Sequence, residues 1–417
     1  MITRIKGTQD ILDTQLHLFL ISQLRTHLQK YDFTEIITPI LEPTELFKRT
    51  VGSQTDIVAK EMYYVHAGDG SQDITLRPEI TASMMRAFLQ SGIQTTPWSV
   101  YTIGPAFRHE RPQKGRYREF YQVNIETIGT SSPAYDAYFI TMLERFFHER
   151  LGIENYALLI NYLGCNKDRE AYKKKLYAFL TKHEKQLCKT CLVRKEKNIL
   201  RTLDCKNPQC RELFATAPHI TDSLCTECEK EWNLIKQLLE ELSVSYTVSP
   251  LLVRGLDYYS KIIFEFVDMS VLGAQNTFCA GGRYETIATA LSSKKDYPSI
   301  GAAMGIERMV LILKTIEDKL PLPVSPPLHV VLPLTQEQVP LSLLLADELQ
   351  ANDLCTTIYL EGASIKSMMR KANTAGAAFC IIIGPDEQAG RYVTVKNMKT
   401  GTEEKTPLAE LITTLKS

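Results

Sequence analysis

Phe107-Arg-His-Glu-Arg-Pro-Gln-Lys-Gly-Arg-Tyr-Arg-Glu-Phe120 sets Arg108, Arg111, Lys114, Arg116 and Arg118 against only Glu110 and Glu119. The apolar runs on either side, Trp98 to Ile103 and Phe120 to Ile128, have strand composition, so the basic peptide is expected to be a loop joining paired strands. Arginine forks match phosphate oxygens bidentately, which suits a bent nucleotide triphosphate or the end of a nucleic acid. Charge alone leaves a second reading open, a solvated hairpin tip laced by salt bridges.

Outward from this loop, Leu16 to Leu28 has helical apolar spacing, and Phe33 to Thr38, Met62 to Val65 and Ile74 to Leu76 read as short strands. Glu79 to Gln90 reads as a helix, Tyr246 to Val253 and Ile262 to Val267 as strands, and Ile300 to Leu313 as helical. Such an order predicts an α+β domain over residues 1–320, built on a mainly antiparallel sheet. It is interrupted at 166–243 by a helical, cysteine-bearing, locally basic insertion. Residues 321–327, rich in proline, read as a linker. From 328 to 417 strands and helices alternate, which predicts a small α/β domain with a largely parallel sheet.

Composition sets the class. Hydrophobic content of 44% and charged content of 23% are globular values that argue against long disorder. Lys plus Arg equals Asp plus Glu at 48 each, so any nucleic-acid partner must be met by local clusters, not by a global field. No apolar run approaches the roughly 20 residues that span a bilayer, and residues 1–8 lack the apolar core of a signal peptide. A soluble, cytoplasmic protein with no membrane association is expected, its ten cysteines mostly reduced.

The arginine loop resembles motif 2 of the class II aminoacyl-tRNA synthetases, the histidyl enzymes in particular. Gly301-Ala-Ala-Met-Gly-Ile-Glu-Arg308 resembles motif 3, and Pro39 with Leu41 to Val51 fits the position of motif 1, a dimer interface in that family. Leu252-Val-Arg-Gly-Leu-Asp-Tyr-Tyr259 and Ala280-Gly-Gly-Arg-Tyr-Glu285 resemble peptides peculiar to histidyl-tRNA synthetases. No Walker phosphate loop and no class I signature pair is present. The resemblance implies a homodimer that activates L-histidine with ATP, Mg2+ accompanying the nucleotide, and charges its cognate tRNA. The domain at 328–417 would bind the anticodon and the insertion would lie on the acceptor-arm side. A regulatory subunit of ATP phosphoribosyltransferase is the rival reading, but that paralogue typically lacks the C-terminal domain and erodes motif 2.

Carried onto this chain, the catalytic residues are Arg254 and Arg108, both on the α-phosphate and the histidine carboxylate. Arg108, Arg116, Phe120 and Arg308 would hold ATP, with Arg116 on the β- and γ-phosphates and Phe120 stacked on adenine. Glu79, Ile80 and Thr81 would line the amino-acid site, where Ile80 replaces the more frequent glycine; Glu79 and Thr81 would meet the α-amino group. Gln122 and Glu126 lie four apart and so share one face of a strand; both would meet histidine, and Tyr258 and Tyr259 would frame its imidazole. Arg111, Gln113 and Arg118 would lie near the acceptor end of tRNA. Apart from the resemblance, Cys188, Cys191, Cys225 and Cys228 form two C-x-x-C pairs with the spacing of a structural zinc site. Cys205 and Cys210 are a third candidate pair, and unpaired reduced thiols are the alternative reading of all six.

Overall fold

The computed structural model describes residues 2–53, 55–66, 73–273, 276–360 and 364–416. Cα packing separates Met1–Leu322 from Pro323–Ser417. In chain order the strands of the first unit are β1 (Thr34–Glu35), β2 (Leu41–Pro43), β3 (Tyr63–Val65), β4 (Ile74–Leu76), β5 (Trp98–Phe107) and β6 (Glu119–Ile128). They continue with β7 (Tyr156–Tyr162), β8 (Thr247–Val248), β9 (Tyr259–Asp268), β10 (Thr277–Tyr284) and β11 (Ser299–Gly305). Eight of them form one sheet in the order β1-β5-β6-β11-β10-β9-β7-β8, and β2-β4-β3 form a small second sheet. Within the large sheet only the outer pairs, β1 with β5 and β7 with β8, run parallel.

The two-residue period of the strands decides which side chains are spent on packing and which are left for chemistry. On β6, Val123 and Ile125 point into the main core; on β11 it is Ile300, Ala302 and Met304, and on β9 Ile262, Phe264 and Phe266. Helices Gln15–Gln29, Pro133–Arg145 and Ile306–Leu313 contribute Leu16, Leu20, Leu24, Phe139, Ile140, Met309 and Ile312 to the same core. Each such side chain, removed fully from water, contributes about 1.5–3 kcal/mol before the entropy of ordering is subtracted. The alternate positions, Gln122, Asn124 and Glu126 on β6 and Gly301, Ala303 and Gly305 on β11, face the other side of the sheet.

Several sequence expectations are corrected here. Ile300 to Leu313 is not one helix: Ser299–Gly305 is a central strand and the helix starts at Ile306. Small residues are needed in that strand because a Cβ on Gly301 would come within 1.6 Å of Glu126 Oε2. Tyr246 to Val253 shrinks to the pair Thr247–Val248, and the helix expected from Glu79 begins at Thr81. The insertion is helical, as expected, through Asn166–Lys182, Lys189–Lys197, Pro208–Phe214 and Thr226–Glu241.

The second unit has a five-stranded sheet of β12 (Leu328–Pro333), β13 (Thr356–Ile358), β14 (Ala377–Ile383), β15 (Tyr392–Asn397) and β16 (Glu403–Pro407), in the order β13-β12-β14-β15-β16. The expected parallel sheet covers only β13, β12 and β14; β15 and β16 add an antiparallel hairpin. Its turn is made by the Asn397 side chain, which accepts from the N–H groups of Lys399 and Thr400, and by Gly401 at φ 76°.

Candidate active site

On the face of the large sheet away from the main core lies a cavity of about 400 Å3. Its wall brings together Glu79, Thr81, Arg108, Arg116, Phe120, Gln122, Arg254, Tyr258, Tyr259 and Arg308, which the sequence placed at one site. Ile80 does not reach it: its side chain is buried with Met84 and Val100. Glu126 is also withdrawn from the wall, each carboxylate oxygen engaged by a hydroxyl, Thr81 Oγ1 at 2.7 Å and Tyr284 Oη at 2.9 Å. Arg111, Gln113 and Arg118 lie outside the cavity on the loop that closes it. Gln113 and Arg116 exchange backbone hydrogen bonds of 3.1 and 2.9 Å around a turn in which Gly115 adopts φ 69°.

Each cavity arginine is clamped by an acceptor already in place. Arg108 Nε donates to the Pro78 carbonyl at 2.8 Å, and its guanidinium stands 5.3 Å from the Phe120 ring. Arg308 Nε donates to the Gly115 carbonyl at 2.8 Å and its Nη1 to the Thr277 carbonyl, so the tip of the arginine loop is tied to the helix starting at Ile306. Arg116 is paired with Glu110, and Arg254 with Glu265. Burial opposes the Arg254 charge, but Glu265 and the adjacent tyrosines hold its pKa above the ordinary arginine value. Burial, together with Arg116 and Arg108, pushes Arg308 the other way, downward.

The carboxyl groups are tuned by the same burial. Glu79 accepts from the N–H groups of Thr81 and Ala82, both at 2.9 Å, at the start of helix Thr81–Gln90; burial nevertheless raises its pKa. Burial pushes Glu126 up to about 8 and Glu307 up to about 7. Glu307 Oε1 accepts from the Tyr121 N–H at 2.8 Å, and so ties β6 to the helix carrying Arg308. Apart from Glu110 Oε2, which is ion-paired with Arg116, three polar atoms of the cavity are buried without a hydrogen-bond partner: Arg254 Nε, Gln122 Oε1 and Asn124 Oδ1. Buried donors and acceptors are normally satisfied, so Arg254 Nε suits an anionic acceptor on a ligand, whereas the two amide oxygens suit ligand N–H or O–H donors.

Reading the sequence alone missed Glu110, Glu265, Thr277, Glu307 and Asn124. Three of these carried a local signal: Asn124 lies between Gln122 and Glu126 on the same strand face, and Glu110 and Glu307 stand within the arginine loop and the Gly301–Arg308 peptide. The others are brought in by tertiary pairing: Glu265 sits opposite Ala280 in the β9–β10 ladder, and Thr277 Oγ1 donates to it at 2.9 Å. A larger cavity of about 760 Å3 opens on the insertion side, with Val253, Arg254, Leu256 and Tyr259 as a shared wall. Its far side is basic, with Arg169, Lys173, Lys174, Lys195, Lys197 and Arg201.

The spacing-based zinc set is corrected. Cys188 and Cys191 cluster with Cys205 and Cys210, whereas Cys225 and Cys228 lie with Cys165 and Asp168. Helix Pro208–Phe214 and the segment after it carry the chain away from the first cluster before Cys225 is reached.

Comparison with known proteins identifies the family. The sequence model of the family described as "Histidyl-tRNA synthetase" matches residues 9–309, and that of the "Anticodon binding domain" matches residues 329–417. The chain is 42% identical over 410 residues to the histidine–tRNA ligase of Nitratidesulfovibrio vulgaris strain DP4, covering 97% of this chain and 95% of that one. It is 40% identical over 412 residues to the histidine–tRNA ligase of Thermodesulfovibrio yellowstonii, covering 98% and 96%. The crystal structure of apo S. aureus histidyl-tRNA synthetase superimposes with a TM-score of 0.80 at 31% identity, over 100% of both chains.

Proposed function

The chain belongs to the histidyl-tRNA synthetase family and is a histidine–tRNA ligase; we propose that the cavity ringed by Arg108, Arg116, Arg254 and Arg308 is where both of its half-reactions occur. In the first, a histidine carboxylate oxygen attacks the α-phosphorus of ATP, and the bond to the bridging oxygen breaks to release pyrophosphate. In the second, a ribose hydroxyl at the 3' end of tRNA attacks the adenylate carbonyl, its proton is lost, and AMP leaves. Negative charge gathers on the α-phosphoryl oxygens in the first step, so fixed cations there lower the barrier.

The observation that carries this reading is the convergence of four clamped guanidinium groups with three unpartnered polar atoms on one cavity. Arg108 and Arg254 would bridge carboxylate and α-phosphate, Arg254 with its free Nε. Arg116 would meet the outer phosphates, while Phe120 and Arg308 would cover adenine from its two faces. Glu79 and Thr81 would take the α-amino group. Tyr258 and Tyr259 would frame the imidazole, and the open acceptor of Gln122 suits its N–H. Glu126 would act through Thr81 and Tyr284, as a positioning group. Mg2+ would enter with the ATP phosphates, which normally supply much of its octahedral shell, so no protein cage is required. Arg111, Gln113 and Arg118, on the loop at the cavity mouth, would meet the tRNA end, and the unit after Leu322 would read the anticodon.

Homodimerisation through the region after Pro39 belongs to the same proposal: Ile40 and Leu41, directly after it, are exposed apolar side chains. No helix among the described residues is long and apolar enough to cross a membrane, and a cytoplasmic location is proposed. Amino-acid-dependent exchange of pyrophosphate into ATP, screened over the standard amino acids with wild type and Arg108→Ala, tests the assignment. Exchange with histidine, lost in the variant, is expected. Undiminished exchange in Arg108→Ala would move the reaction out of this cavity.

A further inference from the structure

We infer that Cys188, Cys191, Cys205 and Cys210 bind one structural zinc ion in the insertion. Their four Sγ atoms all lie within 4.8 Å of one another, and Cys188 Sγ is 3.7 Å from Cys205 Sγ. Zinc–sulfur bonds of about 2.3 Å in a tetrahedron place sulfurs roughly 3.8 Å apart, so the cage already has the size of a zinc–thiolate site. A disulfide would need a sulfur–sulfur bond of about 2.05 Å, and all ten cysteines, each among the described residues, are free thiols.

The surroundings of the sulfurs point the same way. The Cys188 N–H is directed at Cys210 Sγ at 3.3 Å, and the Asn207 N–H at Cys205 Sγ at 3.4 Å. N–H donors aimed at sulfur stabilise thiolate over thiol and orient the ligand, the outer-shell arrangement that metal sites use. Cys191, Cys205 and Cys210 are buried, and the Asn207 side chain caps helix Pro208–Phe214 by accepting from the Cys210 N–H at 3.4 Å. A closed four-thiolate site has no open coordination position, so the ion is structural and takes no part in catalysis. The second cluster is held differently. The Asp168 carboxylate there accepts from the N–H groups of Cys165 at 3.2 Å and Cys225 at 3.0 Å, so a hydrogen-bonded helix start accounts for its convergence.

What the ion would hold in place is the segment between the cysteine pairs. Asn198 Nδ2 donates to Asp257 at 2.8 Å; Arg201 donates to the Gly255 carbonyl at 2.7 Å and to Asp56 at 3.1 Å. Asp204 and Lys206 reach the wall of the 400 Å3 cavity. Zinc would therefore brace the Arg254–Tyr259 loop from behind, cross-linking the segment alongside the apolar contacts of Leu203, Leu213 and Phe214.

Full-length protein purified without added metal and without a metal-binding tag, dialysed against EDTA and analysed by native mass spectrometry and plasma emission, tests the site. About one zinc ion per chain is expected, released when an organomercurial titrates the thiols. Cys205→Ser should lose the ion and Cys228→Ser should keep it. Should Cys205→Ser fail to fold, the metal content of the wild-type chain still decides. Folded wild-type protein without metal, or with iron in place of zinc, would overturn the proposal. So would zinc lost from Cys228→Ser and kept in Cys205→Ser.

Discussion

Replacing Arg254 by alanine should do two separable things, because its guanidinium faces the 400 Å3 cavity on one side and Glu265 on the other. Loss of a preorganised donor on developing charge slows a reaction about 100- to 1,000-fold, roughly 3–4 kcal/mol in the barrier. The same change strands the Glu265 carboxylate. Breaking a fully buried ion pair by removing one partner is destabilising by about 3–5 kcal/mol. Here the two side chains keep 18% and 16% exposure and Thr277 still donates to Glu265. The lower end is therefore expected, about 2–3 kcal/mol, or roughly 4–10 °C in melting temperature.

Glu265→Gln in the Arg254→Ala background tells the two effects apart. It removes the stranded charge and keeps the shape and the Thr277 hydrogen bond. Most of the lost melting temperature should return, while histidine-dependent pyrophosphate exchange should stay down by the full factor. Arg254→Lys should rescue exchange poorly, since a point charge cannot occupy both the pair with Glu265 and the cavity as a planar fork does. Recovery of exchange together with stability would show that Arg254 serves only to neutralise Glu265, and the catalytic assignment would fall.

Arg308→Ala should raise KM for ATP about 10- to 100-fold, as expected for the loss of a charge-assisted contact, with KM for histidine roughly unchanged in steady-state exchange; equal rises in both would mean the loop around Gly115 has collapsed. Glu126→Gln addresses the buried carboxyl whose folded pKa of about 8 lies above its ordinary 4.5. Its proton stabilises the fold at low pH, and that contribution fades as pH rises from about 4.5 through about 8. Melting curves at pH 5.5 and 8.5 should therefore show the wild type losing ground to Glu126→Gln as pH rises, and a constant difference would refute the raised pKa. Truncation within Pro321 to Pro327 should leave histidine-dependent exchange near normal in a folded dimer, checked by light scattering. Charging at limiting tRNA should be largely lost; undiminished charging would remove the second unit from tRNA recognition.

What could be seen in the sequence follows from how the site is distributed along the chain. Arg108, Arg116 and Phe120 lie within one loop, and Arg254, Tyr258 and Tyr259 within one short peptide, so a contiguous reading finds them. The acceptors that hold those arginines are scattered. Glu265 reaches Arg254 only through the path of β9, and Thr277 reaches Arg308 only through β10. Ile300 to Gly305 was misread because Gly-Ala-Ala-Met-Gly has neither strand nor helix composition; its identity is set by neighbours on both sides, Glu126 above all. The cysteines fail for a related reason. C-x-x-C spacing identifies pairs, but which pair joins which is a tertiary fact, and the short path from Cys191 to Cys205 outweighs the better spacing of Cys225 and Cys228.

The arginines also explain how so charged a cavity is held together. Two of the four, Arg116 and Arg254, are balanced by carboxylates, whereas Arg108 and Arg308 are held by backbone carbonyls from Pro78, Gly115 and Thr277. Carbonyl dipoles orient a guanidinium without cancelling its charge, so Arg108 and Arg308 offer a local positive field to an anion even though Glu79, Glu110, Glu265 and Glu307 line the same cavity. Burial, then Arg116 and Arg108, push the Arg308 pKa down, and Glu110 and Glu265 oppose that push. A triphosphate bound there would meet these guanidinium groups directly, and a carboxylate brought beside its α-phosphate would be drawn by the same field against the repulsion between the two anions. The field is fixed before substrate arrives by the fold's own hydrogen bonds. Little reorganisation is then left for the moment at which charge moves onto the phosphoryl oxygens.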